Sequence, residues 1–156
     1  MFQSLELGTS RILFLSDEPL LVEAQMGGRN VSLIEARALR DDVSTDEITP
    51  LASLVYFDER LGRYPYTGVK CGDRLPIGVD AIRNGGFGVT VAGNRYGKGS
   101  SREHSPAAEL RAGIRLVIAK KFRAHLSAER GQPRAVYVDR LWPDRAYPSR
   151  RGNPDC

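Results

Sequence analysis

FGVTVAGNRYGKGSSREHSPAAELRAGIRLVIA, running from Phe87 to Ala119, holds three local patterns one after another. Phe87 to Ala92 is a short run rich in β-branched residues and reads as a strand. Gly93 to Ser101 is a glycine-rich loop. Pro106 to Ala112 reads as a helix, with Ser105 placed to cap it, Pro106 suited to the first turn and Gly113 to the C-terminal stop. Ile114 to Ala119 reads as a buried strand. Strand, glycine loop, helix and strand in this order make a compact βαβ unit, which predicts a parallel pair and an α/β fold.

A strand–glycine loop–helix junction is an anion-binding geometry. Glycines let backbone N–H groups approach a ligand, and a helix N-terminus favours negative charge. The nucleotide versions fail here: Lys98 is followed by Gly99 rather than Ser or Thr, and Arg102 stands where a dinucleotide loop needs its third glycine. What stands there instead is Gly97-Lys98-Gly99-Ser100-Ser101-Arg102-Glu103-His104. A serine hydroxyl is a poor base until its alkoxide is stabilised, and loop amides, a helix N-terminus and a nearby guanidinium all favour that alkoxide. Arg102 offers a planar fork that fits a carboxylate. The implied chemistry is proton abstraction beside a carboxylate. The plainer reading of a generic Ser-Ser-Arg is a capping serine and a solvated arginine.

Upstream, Arg11 to Ser16 and Leu20 to Ala24 read as strands, and Val31 to Leu39 is ambiguous between strand and helix. Asp41 to Pro50 is dense in side-chain oxygens and reads as a loop leading into a helix start. Leu51 to Phe57 is apolar. Asp58 to Gly68 is a turn-rich, charged, aromatic loop of the kind that contacts ligands. Val79 to Asn84 reads as a short helix ending at Gly85-Gly86.

The whole chain has 156 residues, 41% hydrophobic and 27% charged, which excludes collagen, coiled coil and wholesale disorder. Its apolar runs fall far short of the roughly 20 residues of a membrane span, and the N-terminus lacks the cationic head of a signal peptide, so a cytoplasmic protein is expected. Cys71 and Cys156 form no disulfide framework or zinc motif. The net charge of +4 lies mostly after Phe122, where seven arginines face four acids. A nucleic-acid binder carries its basic stripe on the folded part, so that class is disfavoured.

The string Tyr96 to His104 resembles the signature of the aconitase superfamily's mobile swivel domain, which also forms the small subunit of 3-isopropylmalate dehydratases (isomerases) and related hydro-lyases. Ser44-Thr45-Asp46-Glu47-Ile48 resembles that family's Thr-Asp-x-Ile segment, and Gly113 to Ala119 with Phe122 resembles the strand after its signature helix. Together these cover about half the chain, Asp41 to Phe122. The resemblance implies a β/β/α swivel domain over residues 1–122. It implies that Ser100 is the base, that Ser101 and Arg102 bind substrate carboxylate, and that Thr45 and Asp46 lie near the same cleft. Gly97, Gly99, Glu103 and His104 would support the loop. Arg60 lies in the loop where relatives set substrate choice, and Lys98 replaces a residue that is often Cys or Glu.

Family enzymes carry a [4Fe–4S] cluster on the large subunit, and this chain has no cysteine set for one. Dehydration needs a Lewis acid. The resemblance therefore implies half an active site, completed by an iron–sulfur large subunit and acting on a hydroxy di- or tricarboxylic acid. The 3-isopropylmalate or citramalate type, with a place in leucine biosynthesis, is favoured. Rivals are a 2,3-dimethylmalate-type dehydratase subunit, an inactive truncated homologue, and a non-catalytic anion- or nucleic-acid-binding module.

The segment 123–156 departs from the family. Relatives continue with an aromatic and Asn-x-x-x-x-Gly-Leu, whereas this chain is rich in Arg and Pro, shows no clean period and holds its one Trp, Trp142. Read one base later from about Arg123, with reasonable codon choices, the gene gives Phe-Glu-Arg-Ile-Tyr-Arg-Gln-Asn-Ala-Asp-Asn-Leu-Gly-Leu-Phe-Thr, which is similar to the expected continuation. An out-of-frame tail, poorly ordered for lack of a selected apolar pattern, is the expectation.

Overall fold

The computed structural model describes residues 6–36, 38–99 and 104–120, together with the backbone of 136–139. Four strands form one parallel sheet in the order β1-β2-β3-β4: Arg11–Phe14, Phe87–Ala92, Leu116–Ala119 and Val136–Asp139. The expected parallel pair is β2 with β3, in register Thr90↔Val117 and Val91↔Ile118. β1 flanks β2 on the other side, also parallel.

The interior position of β2 explains its composition. Every one of its residues is buried, as in a strand covered on both faces. One face packs with Leu13, Leu15, Val117 and Ala119 against Ile48, Ile82 and Ile114. The other joins Val89 and Val91 to Phe14, Val31, Ala36 and Leu39.

Four helices complete the described fold: α1 (Pro19–Met26), α2 (Thr45–Ile48), α3 (Ala81–Gly85) and α4 (His104–Arg111). Two 3-10 turns, Leu51–Ser53 and Glu59–Arg63, lie between α2 and α3. The strand expected over Leu20 to Ala24 is instead the middle of α1. A short apolar run fits either element, and Pro19, with its φ pre-set at the first helical position, starts a helix. Val31 to Leu39 is neither strand nor helix; its described residues form turns, with one bridge from Leu39 to Ser16. The large apolar side chains of Leu51, Val55 and Phe57 stay outside the core, 66%, 78% and 61% exposed.

α1 also protects a sheet edge. Gln25, fully buried, accepts a hydrogen bond from the Phe14 N–H at 2.8 Å and donates to the Phe14 carbonyl at 2.9 Å. Among the described residues β1 has no strand on this side, and the Gln25 amide takes that place and blunts the edge. Gln25→Ala leaves both backbone groups unsatisfied and is expected to cost about 1–3 kcal/mol. In urea unfolding, the midpoint falls and the slope is unchanged.

Of the segment 123–156, only β4 is described; it pairs parallel with β3 at Leu116↔Val136. Sequence patterning offered no period there, yet Val136-Tyr137-Val138 has the β-branched and aromatic character of an edge strand.

Candidate functional site

The glycine loop and the Thr-Asp segment lie 50 residues apart in the chain and run side by side in the fold. The Gly93 N–H donates to the Arg40 carbonyl at 2.9 Å, and the Asp42 N–H to the Asn94 carbonyl at 2.8 Å. The N–H groups of Gly97 and Lys98 both donate to the Val43 carbonyl, at 2.8 and 3.1 Å. The Thr45 N–H donates back to the Lys98 carbonyl at 2.9 Å. Gly97 and Gly99 take the left-handed conformations (φ 81° and 116°) that let the loop turn here without strain. A Cβ on Gly99 would meet the Thr45 hydroxyl at 3.2 Å.

The short helix α2 holds its place through its own sequence. Ser44 is the N-cap, and its side chain accepts from the Glu47 N–H at 3.1 Å. Glu47 reaches back to the Ser44 N–H at 2.7 Å, completing a capping box, and its other oxygen pairs with Arg40. Thr45 is buried and Asp46 is exposed in the first turn. From the far end of α2, the Thr49 hydroxyl donates to Ser105 Oγ at 3.1 Å, tying α2 to the first turn of α4. Ser105, expected as the cap of α4, therefore lies inside the helix and serves this cross-link. The described part of α4 already begins at His104.

The structure thus brings Thr45, and the helix turn that carries Asp46, beside Gly97 and Gly99, and sets Ser105, the residue after His104, against the end of α2. Ser100, Ser101, Arg102 and Glu103 lie outside the described residues, in the short stretch between Gly99 and His104. The His104 ring packs against the exposed Phe57, with centroids 3.9 Å apart, and its Nε2 is buried with no hydrogen-bond partner among the described residues. Lys98 lies 3.7 Å from Asp42, which also takes a two-pronged pair from Arg95.

Arg60 is engaged within its own loop. It forms a forked pair with Asp58, at 2.8 to 3.0 Å, and lies over the Tyr56 ring at 4.7 Å. The Arg60 side chain and N–H together hold the Asp58 carboxyl down to about 2. Arg63 is likewise paired, with Asp80.

Sequence reading missed one buried polar cluster behind the loop. The Tyr66 hydroxyl donates to Glu109 Oε1 at 2.7 Å and lies 2.9 Å from Thr90 Oγ1, and the Tyr96 hydroxyl bonds the same Glu109 oxygen. Burial, and after it the Glu109 carboxylate, pushes the Tyr66 hydroxyl well above the usual tyrosine range. Nothing local in the sequence announces this cluster, because Glu109 reads there as an ordinary acid of a polar helix.

Among the described residues, no three His, Cys, Asp or Glu side chains come close enough to hold a metal ion. Cys71 is buried, with Sγ 3.8 Å from the Arg40 guanidinium and from the Asp17 carbonyl. The described donor set does not fit an iron–sulfur cluster.

Residues 80–127, which span α3, β2, the glycine loop, α4 and β3, match the aconitase C-terminal domain family. That segment is aconitase-like. A 3-isopropylmalate dehydratase small subunit 2 from Methanopyrus kandleri is 42% identical over 89 residues, covering 56% of this chain and 48% of its own length. The 3-isopropylmalate dehydratase small subunit of Oleidesulfovibrio alaskensis is 38% identical over 88 residues, with 56% and 48% covered. A solved structure of 3-isopropylmalate dehydratase from Methanocaldococcus jannaschii is 35% identical, with a TM-score of 0.44 over 55% of this chain and 48% of that one. The chain spans about half the length of the curated relatives it matches. The sheet, the βαβ unit and the aconitase-like segment agree with the α/β swivel class expected from the motifs.

Proposed function

We propose that this chain is the small-subunit component of an aconitase-family hydro-lyase. The observation that carries the reading is the Thr45–Lys98 main-chain pairing, which sets the Thr-Asp segment beside the loop that leads into Ser100. In this reading Ser100, as the alkoxide, takes the proton from the carbon next to a substrate carboxylate. The hydroxyl leaves the neighbouring carbon, a double bond forms between the two, and water is added back in the reverse sense. Loop amides and the α4 N-terminus stabilise the alkoxide. Arg102 and Ser101 hold the carboxylate, Asp46 and Thr45 order them, and Glu103 and His104 brace the loop. Arg60, already paired with Asp58, reaches substrate only by giving up that pair. A [4Fe–4S] cluster on a large subunit supplies the Lewis acid that labilises the hydroxyl.

In this reading the substrate is a hydroxy di- or tricarboxylic acid, of the 3-isopropylmalate or citramalate type, and the chain acts in the cytoplasm, in leucine biosynthesis. None of the described helices is long and apolar enough to cross a membrane. Residues 123–156 are an out-of-frame continuation; the family match stops at residue 127, just past Phe122.

The test is an anaerobic pull-down from the native host with two tagged forms, this chain and the same gene with its frame restored after Phe122. A brown partner of large-subunit size that turns over 3-isopropylmalate or citramalate is the expected result for the restored form. A restored form that captures no such partner overturns the reading. Resequencing across the Phe122 codon checks the tail.

A further inference from the structure

Glu109 is fully buried, and it belongs to α4, the helix that follows the reactive loop. Its Oε1 receives two tyrosine hydroxyls from two different loops. Tyr96 comes from the glycine loop, immediately before Gly97, and Tyr66 comes from the end of the aromatic loop that contains Arg60. The two hydroxyls are 3.1 Å apart, and Tyr66 also reaches Thr90 on β2. Both tyrosines are fully buried.

Tyr66 has φ 65°, a left-handed conformation that a bulky residue holds only when its surroundings over-determine it. Its N–H donates to the Ile48 carbonyl at 2.9 Å, and two residues on the Gly68 N–H donates to the Glu47 carbonyl at 3.2 Å. One strained residue therefore joins α2, the aromatic loop, the glycine loop, α4 and the sheet.

We propose that Tyr66, Tyr96 and Glu109 are positioning residues that lock the aromatic loop, the Thr-Asp helix and the glycine loop into one body, so that the two halves of the site cannot shift independently. An apolar trio of the same volume would fill the space but would not tie the loops together by directed hydrogen bonds, which a carboxyl acceptor in the core does. The lock's kinetic consequence rests on the proposed hydro-lyase reading; the lock itself does not.

Hydrogen exchange on the full chain tests it. Tyr96→Phe removes one hydroxyl and leaves the ring. The amides of Gly97, Thr45, Tyr66 and Gly68 are all expected to exchange about tenfold faster, because a bond to a buried carboxylate is lost, while the β2–β3 ladder keeps its protection. Tyr66→Phe is expected to give the same set from the other side. Ile82→Val, a core truncation that removes no hydrogen bond, serves as the stability control and should affect all segments together. Acceleration confined to Gly97, or acceleration shared evenly with the sheet, overturns the lock. In an assembled enzyme Tyr96→Phe lowers kcat with KM nearly unchanged. An unaltered kcat overturns the positioning role, whereas a wild-type assembly with no turnover sinks the enzyme reading and leaves the exchange result standing.

Discussion

Ser100→Ala in the assembled enzyme is expected to abolish useful turnover, lowering kcat about a hundred- to ten-thousand-fold, the usual contribution of a positioned general base. The substitution removes one oxygen and little else. Thr45 still pairs with Lys98, Gly97 and Gly99 keep their left-handed turns, and α4 still follows. The carboxylate grip proposed for Arg102 and Ser101 is left intact, so KM and capture of the large subunit are expected to stay near wild type. This split separates a lost base from a lost fold. Arg102→Lys should do the opposite, raising KM, because an ammonium cannot reproduce the planar two-point grip on a carboxylate. Steady-state kinetics on both variants decides the matter. A Ser100→Ala enzyme with near-normal kcat removes Ser100 from the chemistry and with it the proposed mechanism.

Gly68→Ala is expected to cost about 1–3 kcal/mol, the range for forcing atoms into filled space, and to lower Tm by several degrees. The reason is contact, not conformation. An added Cβ would lie 2.5 Å from the Asp46 carbonyl oxygen and 2.9 Å from Glu47 Cα. Both are backbone atoms, and they belong to a helix pinned at both ends, by the Ser44 capping box and by the Thr49–Ser105 bond. Neither can step aside cheaply. The strain falls on the segment that carries Asp46, so the variant should lose activity beyond its loss of stability. Gly78→Ala is the control: nothing lies within 4 Å of its added Cβ, and its backbone is ordinary. Thermal melts of the two variants should differ by nearly the whole effect. Equal melting temperatures would mean that the aromatic loop is free to lift away from α2.

The elements that sequence reading located well share a property: each is decided by its neighbours in the chain. β2 came out with its observed ends because a β-branched run sits between glycines. β3 and the described part of α4 followed, each displaced by two residues at its start. Ser44 and Glu47 stand three apart, so the start of α2 was legible as polar residues before a proline, although the full capping box was not named. The misreadings share the opposite property. Leu20 to Ala24 carries apolar side chains that suit a strand equally well, and only its neighbours, Pro19 at the helix start and the backbone of Phe14 that Gln25 must satisfy, select a helix. Leu51 to Phe57 is an apolar run, yet three of its large side chains face solvent. Exposure depends on what else packs there, which no local pattern records.

For the site, the residue types and their spacing within each motif come from sequence alone. Glycines at 97 and 99, a Ser-Ser-Arg run after them and an apolar parallel strand on either side of the helix are local facts, because turn conformation, helix start and hydrophobic run length all act over a few residues. Only the tertiary structure decided that the Val43 and Lys98 carbonyls accept from the other segment's N–H groups, so that two motifs 50 residues apart share one rim. Only it decided that Glu109, an ordinary helix acid by sequence, sits fully buried against two tyrosine hydroxyls. Those outcomes are set by chain closure and by the cost of leaving a polar group unpaired in the core. That cost is settled by partners distant in sequence, after the chain has folded back on itself.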